Sequence, residues 1–296
     1  MGPDAAYWEA MAEAEQREAR RKRMLGLTLG GGALVAVGAM ITVAVVVSQH
    51  SDGTPAAKPA RSAAAPSAAA PSGTAAAKPA DKAESAAKPE GLQPGSAAKL
   101  GPADGRDGTA LLLPGNGDGY AEAADAGIDT AKDFTVSAVV RNDAASDPKA
   151  ALSQNGEQFF AYYLGREDSS AATRNRWVFK VQTANEAGKT AMALSTAPAA
   201  TGRWTTLTGV YNAKAKTISL YVDGTLAQTT PAPAVLPAKG PLELGRARYK
   251  AHWADAWNGG ITDVRLWRQA LTADQVTRLT KTRTPDPAPA AVLLQP

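Results

Sequence analysis

The chain has 296 residues, enough for two ordinary domains, and its composition changes strongly along its length. It contains no cysteine, which excludes disulfide frameworks, thiolate zinc sites and cysteine nucleophiles. The formal net charge of +4 is small. Because the basic residues form no dense stripe in the C-terminal part, we expect no nucleic-acid partner.

The first 48 residues indicate a membrane anchor. Residues 1–24 are charged and predict a short cytoplasmic helix that ends in a basic cluster. Residues 25–48 contain no charged side chain. A helix rises about 1.5 Å per residue, so this segment is long enough to cross a hydrocarbon core of about 30 Å. The basic cluster keeps the N-terminus in the cytoplasm and places the rest of the chain outside the cell.

Two further interpretations concern this apolar segment. A cleaved signal peptide is the alternative to an uncleaved anchor, but signal peptides usually have a shorter apolar region, and no Ala-x-Ala site follows here. The sequence therefore favours a single-pass protein of the cell membrane. Gly26 and Gly30 form a Gly-x-x-x-Gly pattern, and small residues at this spacing let two helices approach closely. This face is a candidate for homodimerisation; the alternative is that the glycines have no such role, since glycine is common in membrane helices.

Proline-rich segments lie on both sides of the central part of the chain. Residues 49–107 alternate Ala-rich pieces with prolines and contain no aromatic residue. Proline interrupts helices, and such small side chains supply little core, so we expect a disordered linker. Residues 284–296 are predicted to form a Pro-rich tail, in which the apolar residues 292–294 are a candidate for docking.

Residues 108–283 show the alternation of apolar and polar residues that is typical of half-buried strands. Asp223-Gly224 separates two such strands and predicts a two-residue hairpin. The alternation breaks between Ile261 and Val264, which predicts a bulge. Thr272 with Gln275 predicts a capping box at the start of a short helix.

The order of motifs in this part resembles a known family. Gly-Arg-Trp at 202–204 is followed by Tyr-Val-Asp-Gly at 221–224, Gly-Pro-Leu-x-x-Gly-Arg at 240–246, and Gly-Ile-x-Asp-Val-Arg-Leu-Trp at 260–267. This order is similar to that of the laminin-G-like jelly-roll family. The resemblance implies an all-β, concanavalin A-like sandwich over residues 108–283. It also implies a lectin-like function.

The sequence gives little support for catalysis. His252 is the only histidine in this domain, and no nucleophile elbow lies near it. Glycoside hydrolases need two carboxylates at a fixed separation, whereas Glu122, Glu157 and Glu243 are isolated along the sequence. We therefore expect no enzymatic activity, and a wall-polysaccharide hydrolase is the least favoured alternative.

The loop 246–255 has the composition most suitable for ligand binding. Aromatic rings stack on sugar faces, while charged side chains supply directional hydrogen bonds. We expect this loop to bind a carbohydrate or another extracellular or cell-wall partner. The alternative is a structural or signalling component of a membrane complex, with the sandwich as a protein-docking domain. The predicted ligand-binding residues are Arg246, Arg248, Tyr249, His252, Trp253 and Asp255.

The resemblance also implies calcium at one rim of the sandwich. Calcium prefers several oxygen ligands from carboxylates and loop carbonyls. By resemblance, the candidates are Asn116, Asp118 and Asp263. Thr262 departs from the pattern, because many relatives carry an acidic residue there. The alternative is that Asn116 and Asp118 only stabilise their turn and that Asp263 only caps backbone amides.

Overall fold

The computed structural model describes residues 91–282 and 285–295. The predicted cytoplasmic helix, the membrane anchor with its Gly26/Gly30 face, and the first part of the predicted linker lie outside the described residues. Within the two described ranges, no helix is both long enough and apolar enough to cross a bilayer.

Strands make up most of the described chain, as the alternation of apolar and polar residues predicts. They are joined by a 3₁₀ turn at Ala124–Ala126 and one α-helix, α1, at Ala273–Leu279. The strands in chain order are β1 Leu92–Pro94, β2 Lys99–Ala103, β3 Arg106–Pro114, β4 Ala121–Ala123, β5 Phe134–Asn142, β6 Lys149–Asn155, β7 Phe160–Glu167, β8 Arg176–Gln182, β9 Thr190–Pro198, β10 Trp204–Asn212, β11 Thr217–Val222, β12 Thr225–Pro231, β13 Leu242–Leu244, β14 Ala247–Tyr249, β15 His252–Ala254, β16 Asn258–Trp267 and β17 Ala291–Leu293.

These strands form two large antiparallel sheets. The seven-stranded sheet has the order β1-β4-β13-β6-β7-β8-β9. The eight-stranded sheet has the order β12-β11-β10-β5-β16-β3-β2, with β17 paired to β16. Strands β14 and β15 pair only with each other. The two inner faces share one large hydrophobic core. The prediction of an all-β sandwich is therefore confirmed.

Aromatic side chains from both sheets meet in the core. Phe134 of β5 contacts Tyr162 of β7 with ring centroids 5.2 Å apart, and Phe179 of β8 edge-on at 6.2 Å. Gly209 of β10 lies against the Phe179 ring so closely that a β-carbon there would overlap it. A glycine at this position therefore lets the two sheets approach.

Local sequence signals are confirmed. Strands β11 and β12 form the predicted hairpin around Asp223-Gly224. The pairing of β16 with β5 shifts register between Thr262 and Arg265, where the bulge is predicted. At the start of α1, the Thr272 hydroxyl accepts a hydrogen bond from the Gln275 amide, and the Gln275 side chain accepts one from the Thr272 amide.

The sandwich extends beyond the predicted range 108–283 at both ends. Strands β1 and β2 lie inside the predicted linker. Leu92 of β1 is fully buried, and Leu100 of β2 packs against the same core. These two apolar side chains anchor the two strands to the sandwich. At the other end, β17 pairs with β16, and Leu293 and Leu294 are buried. The apolar residues of the tail therefore dock.

Candidate functional site

The outer face of the seven-stranded sheet carries a row of polar side chains. Leu242, Leu244 and Leu152 point into the core, and residues between core positions point to the opposite face. The strand register aligns these outward residues across β4, β13, β6, β7 and β8. In sheet order, the row contains Glu122, Glu243, Ser153, Tyr163 and Lys180.

Residues 246–255, which include β14 and β15, fold over this face as a hairpin. We call this segment the capping hairpin. The Ser153 hydroxyl donates a hydrogen bond to the Arg246 carbonyl at 2.8 Å, and the Asn155 side chain accepts one from the Arg248 amide at 2.8 Å. At the other end, the Ala150 amide donates to the Asp255 carbonyl at 2.8 Å. These bonds tie the capping hairpin to the sheet beneath it.

A pair of carboxyl groups lies at one side of the capping hairpin. Glu122 and Glu243 are direct cross-strand neighbours on β4 and β13, so their carboxyl groups lie on the same face of the sheet. Glu243 is only 1% exposed, and Arg246 forms a two-point ion pair with it at 2.8 and 3.2 Å. Burial raises the pKa of Glu243 to about 7; Glu122 adds to this effect, while Arg246 opposes it.

Aromatic rings hold the arginines of the capping hairpin in place. The guanidinium carbon of Arg246 lies 3.3 Å from the ring centroid of Tyr120 and 3.8 Å from that of Trp253. That of Arg248 lies 4.7 Å from the Trp253 centroid. Cationic groups are attracted to aromatic faces. Trp253 therefore orients two arginines, a role that the sequence analysis did not assign to it.

A groove of about 640 Å³ runs beside the capping hairpin, within the usual size range of small-ligand sites. We call it the Trp253 groove. Trp253 and Arg248 line it together with the three carboxylates Glu122, Glu157 and Glu243. The remaining walls come from three loops, at residues 155–157, at Asn185 and at residues 236–241.

One nitrogen in this groove lacks a partner. The Nε atom of Arg248 is buried and has no hydrogen-bond acceptor among the described residues. An unsatisfied buried donor costs about 1–3 kcal/mol. A ligand oxygen gains this hydrogen bond only if the Arg248 side chain shifts on binding and brings the buried Nε to the groove.

The structure brings together only some of the predicted ligand-binding residues. Arg248 and Trp253 line the groove. Arg246 does not line it, but its guanidinium group stacks on the Trp253 ring. Tyr249 and His252 pair with each other near the tip of the capping hairpin, and neither of them lines the groove.

Asp255 belongs to a different cluster. Its side chain lies near Tyr163, Glu167 and Lys180. Burial raises the pKa of Asp255, although the nearby Lys180 charge and the Tyr163 hydroxyl oppose this. Glu167 and Lys180 form a buried ion pair at 2.9 Å. Asp255 therefore stabilises the base of the capping hairpin and does not line the groove.

The sequence analysis missed the carboxylates of the groove. It treated Glu122, Glu157 and Glu243 as isolated, whereas all three line the Trp253 groove. A signal was present, because Glu122 and Glu243 are each flanked by apolar residues in a short strand. That pattern turns a side chain away from the core. Only the strand order, which is not local in sequence, places the two side by side.

The three predicted calcium ligands do not form one site. The Asn116 side chain accepts a hydrogen bond from the Asp118 amide at 3.2 Å, which stabilises their turn. Asp263 pairs with Arg265 at 2.7 Å. The turn follows Pro114, which pairs with Asn258. Asp263 lies five residues farther along β16, or about 16 Å. Residues 91–282 and 285–295 contain no group of three His, Asp or Glu side chains that could hold a metal.

Comparison with known proteins adds a family to this geometry. Residues 115–277 match a protein-family model described as the concanavalin A-like lectin/glucanases superfamily. This match covers more than half of the chain. No curated protein matches the sequence.

Two solved structures illustrate the similarity in fold. Domain 4 of AbnA, an extracellular arabinanase from Geobacillus stearothermophilus solved in complex with arabinotriose, is 19% identical with a TM-score of 0.51, over 64% of this chain and 86% of that chain. A heptameric SAP-like pentraxin from Limulus polyphemus is 14% identical with a TM-score of 0.46, over 58% of this chain and 81% of that chain. At these identities, the likeness concerns the fold alone.

Proposed function

The chain belongs to the concanavalin A-like lectin/glucanases superfamily, and we propose that it is a non-catalytic protein that binds carbohydrate in the Trp253 groove. This proposal keeps the predicted lectin-like function. It narrows the predicted site to the side of the capping hairpin that carries Arg248 and Trp253.

The pairing of Arg248 with Trp253 at the groove wall is the observation that carries this proposal. Arg248 has a buried Nε without an acceptor, and sugar hydroxyls are acceptors. Trp253 is partly exposed and, with Leu236 and Pro237, gives the groove apolar surface. Sugars present both hydroxyl groups and apolar C–H faces, so a groove with both kinds of wall suits them.

The carboxyl pair supports binding over hydrolysis. Glycosidases that retain configuration hold their two carboxyl groups about 5 Å apart, and those that invert it hold them farther apart. Glu122 and Glu243 are direct cross-strand neighbours, but the surroundings of Glu243 do not suit a catalytic carboxyl group. Glu243 is almost fully buried and is paired with Arg246. Its position therefore favours a structural role.

We also propose that the sandwich is displayed outside the cell by residues 25–48. The support is the uncharged segment and the basic cluster before it. Protease added to intact cells is expected to remove an epitope placed at the C-terminus while an N-terminal epitope survives. A C-terminal epitope that resists protease on intact cells, but not after lysis, would contradict this placement.

A glycan and wall-polymer array, probed with the purified full-length chain, tests the proposed function. We expect saturable binding to a restricted set of glycans. Binding should persist in the presence of a chelator, because the predicted calcium ligands do not lie together. Loss of binding in chelator would instead support the calcium prediction. No binding to any glycan or wall polymer would overturn the proposal.

A further inference from the structure

A second cavity, of about 370 Å³, lies on the outer face of the eight-stranded sheet. We call it the Arg106 cavity. It shares no lining residue with the Trp253 groove. Five parts of the chain that are distant in sequence build this cavity. They are Gly105 with the first two residues of β3, Ser137 and Val139 of β5, Thr206 of β10, Asp263 and Arg265 at the bulge of β16, and residues 279–282 at the end of α1 and just after it.

Positive charge predominates in this cavity. Arg265 is only 6% exposed, and its Nε pairs with Asp263 at 2.7 Å, so these two charges largely cancel. Arg106 and Lys281 then face a single further carboxylate, that of Asp107. The cavity therefore has an excess of one positive charge.

Arg106 has unused capacity to donate hydrogen bonds. Its Nε atom is buried and has no acceptor among the described residues. A guanidinium group offers five N–H donors in a fixed plane, which matches the oxygens of phosphate and carboxylate. Because Arg106 lines the cavity, an anion there that brings an oxygen to this Nε would satisfy a donor that the protein leaves unpaired.

One hydroxyl group adds to the lining. Thr206 lies beside the cationic side chains, whereas the Thr280 hydroxyl already donates to the Thr277 carbonyl at 3.0 Å. The Thr206 hydroxyl, the Arg106 guanidinium and the Lys281 ammonium group come from separate parts of the chain, and donors around one cavity suit a tetrahedral oxyanion, which presents oxygens in several directions. We propose that the Arg106 cavity binds a phosphate or sulfate group, either free or as a monoester. This site is independent of carbohydrate binding in the Trp253 groove.

Unfolding of the full-length chain in increasing inorganic phosphate tests this proposal, with sodium chloride at the same ionic strength as the reference. The unfolding midpoint should rise saturably with phosphate or with sulfate, beyond the effect of sodium chloride. Glucose 6-phosphate is the comparison ligand. Tighter binding of this monoester would show that the site prefers an esterified group, and tighter binding of inorganic phosphate would show a preference for the free ion.

Three variants locate the site. Arg106→Gln and Lys281→Gln should each weaken phosphate binding roughly fivefold or more, because each removes a charge-assisted hydrogen bond. Lys132→Gln, which removes an exposed lysine outside the cavity, should leave phosphate binding unchanged. If Arg106→Gln disturbs folding, Lys281→Gln alone tests the site, because Lys281 is exposed and its substitution should leave the fold intact. No saturable shift with phosphate or sulfate, or equal binding by wild type and Lys281→Gln, would overturn the proposal.

Discussion

Trp253→Ala is expected to weaken binding of the best array glycan roughly tenfold or more, because aromatic side chains that a bound partner covers contribute a large share of binding energy. The substitution removes an apolar wall of the Trp253 groove. It also releases Arg246 and Arg248, whose guanidinium groups contact the Trp253 ring. Isothermal titration calorimetry with the full-length chain measures the change.

Tyr249→Ala is the matched control for this variant. Tyr249 is an aromatic residue of the same capping hairpin, but it is 37% exposed and contacts Phe159 outside the groove. Its removal should change glycan affinity little. Equal losses for the two variants would mean that the capping hairpin as a whole, and not the Trp253 groove, determines binding. Full binding by Trp253→Ala would contradict the proposed site.

Glu243→Gln is expected to flatten the dependence of stability on pH. Burial raises the pKa of Glu243 from 4.5 to about 7, so the folded chain holds a proton there that the unfolded chain releases near pH 4.5. The stabilisation from this group is therefore complete below pH 4.5 and is lost as the pH rises through 7. At about 1.4 kcal/mol per pKa unit, the loss in the wild type is roughly 3 kcal/mol. Glutamine does not titrate in this range, so the variant should not show this loss of stability.

Urea unfolding of both proteins between pH 4.5 and 8 measures this effect. Other carboxyl groups with shifted pKa values, such as Asp129, Glu167 and Asp255, are present in both proteins and cancel in the difference. The two curves of unfolding free energy against pH should diverge between pH 4.5 and 7. Parallel curves would show that Glu243 is ionised throughout this range and that Arg246 dominates its environment.

The fold follows from the sequence wherever the signal is local. The hairpin at Asp223-Gly224, the bulge after Thr262 and the capping box at Thr272 each depend on a few neighbouring residues. Strands β1 and β2 were not predicted, because Leu92 and Leu100 are their only large apolar side chains. Strands with so few apolar residues can be recognised only from their pairing with neighbouring strands.

The site was predictable only in part, because its contacts cross between strands that are distant in sequence. Composition identified the loop that carries Arg248 and Trp253, but it could not separate them from Asp255, whose side chain lies near Tyr163 on β7. Nor could it pair Glu122 with Glu243, which are brought together by the order of β4 and β13 in the sheet. The calcium candidates show a related limit of composition, since residues of suitable type are placed far apart on β16 and its neighbouring turn; calcium binding itself stays a prediction.

Fluorine NMR of the full-length chain labelled with 5-fluorotryptophan tests the central claim most directly. The chain has six tryptophans, and among the described ones only Trp253 lines the groove; single Trp→Phe variants assign the resonances. On addition of the best array glycan, the Trp253 resonance should shift saturably while those of the buried Trp177, Trp257 and Trp267 stay in place. A glycan that binds without moving the Trp253 resonance, or that moves only the Trp204 resonance on the other sheet, would contradict the account.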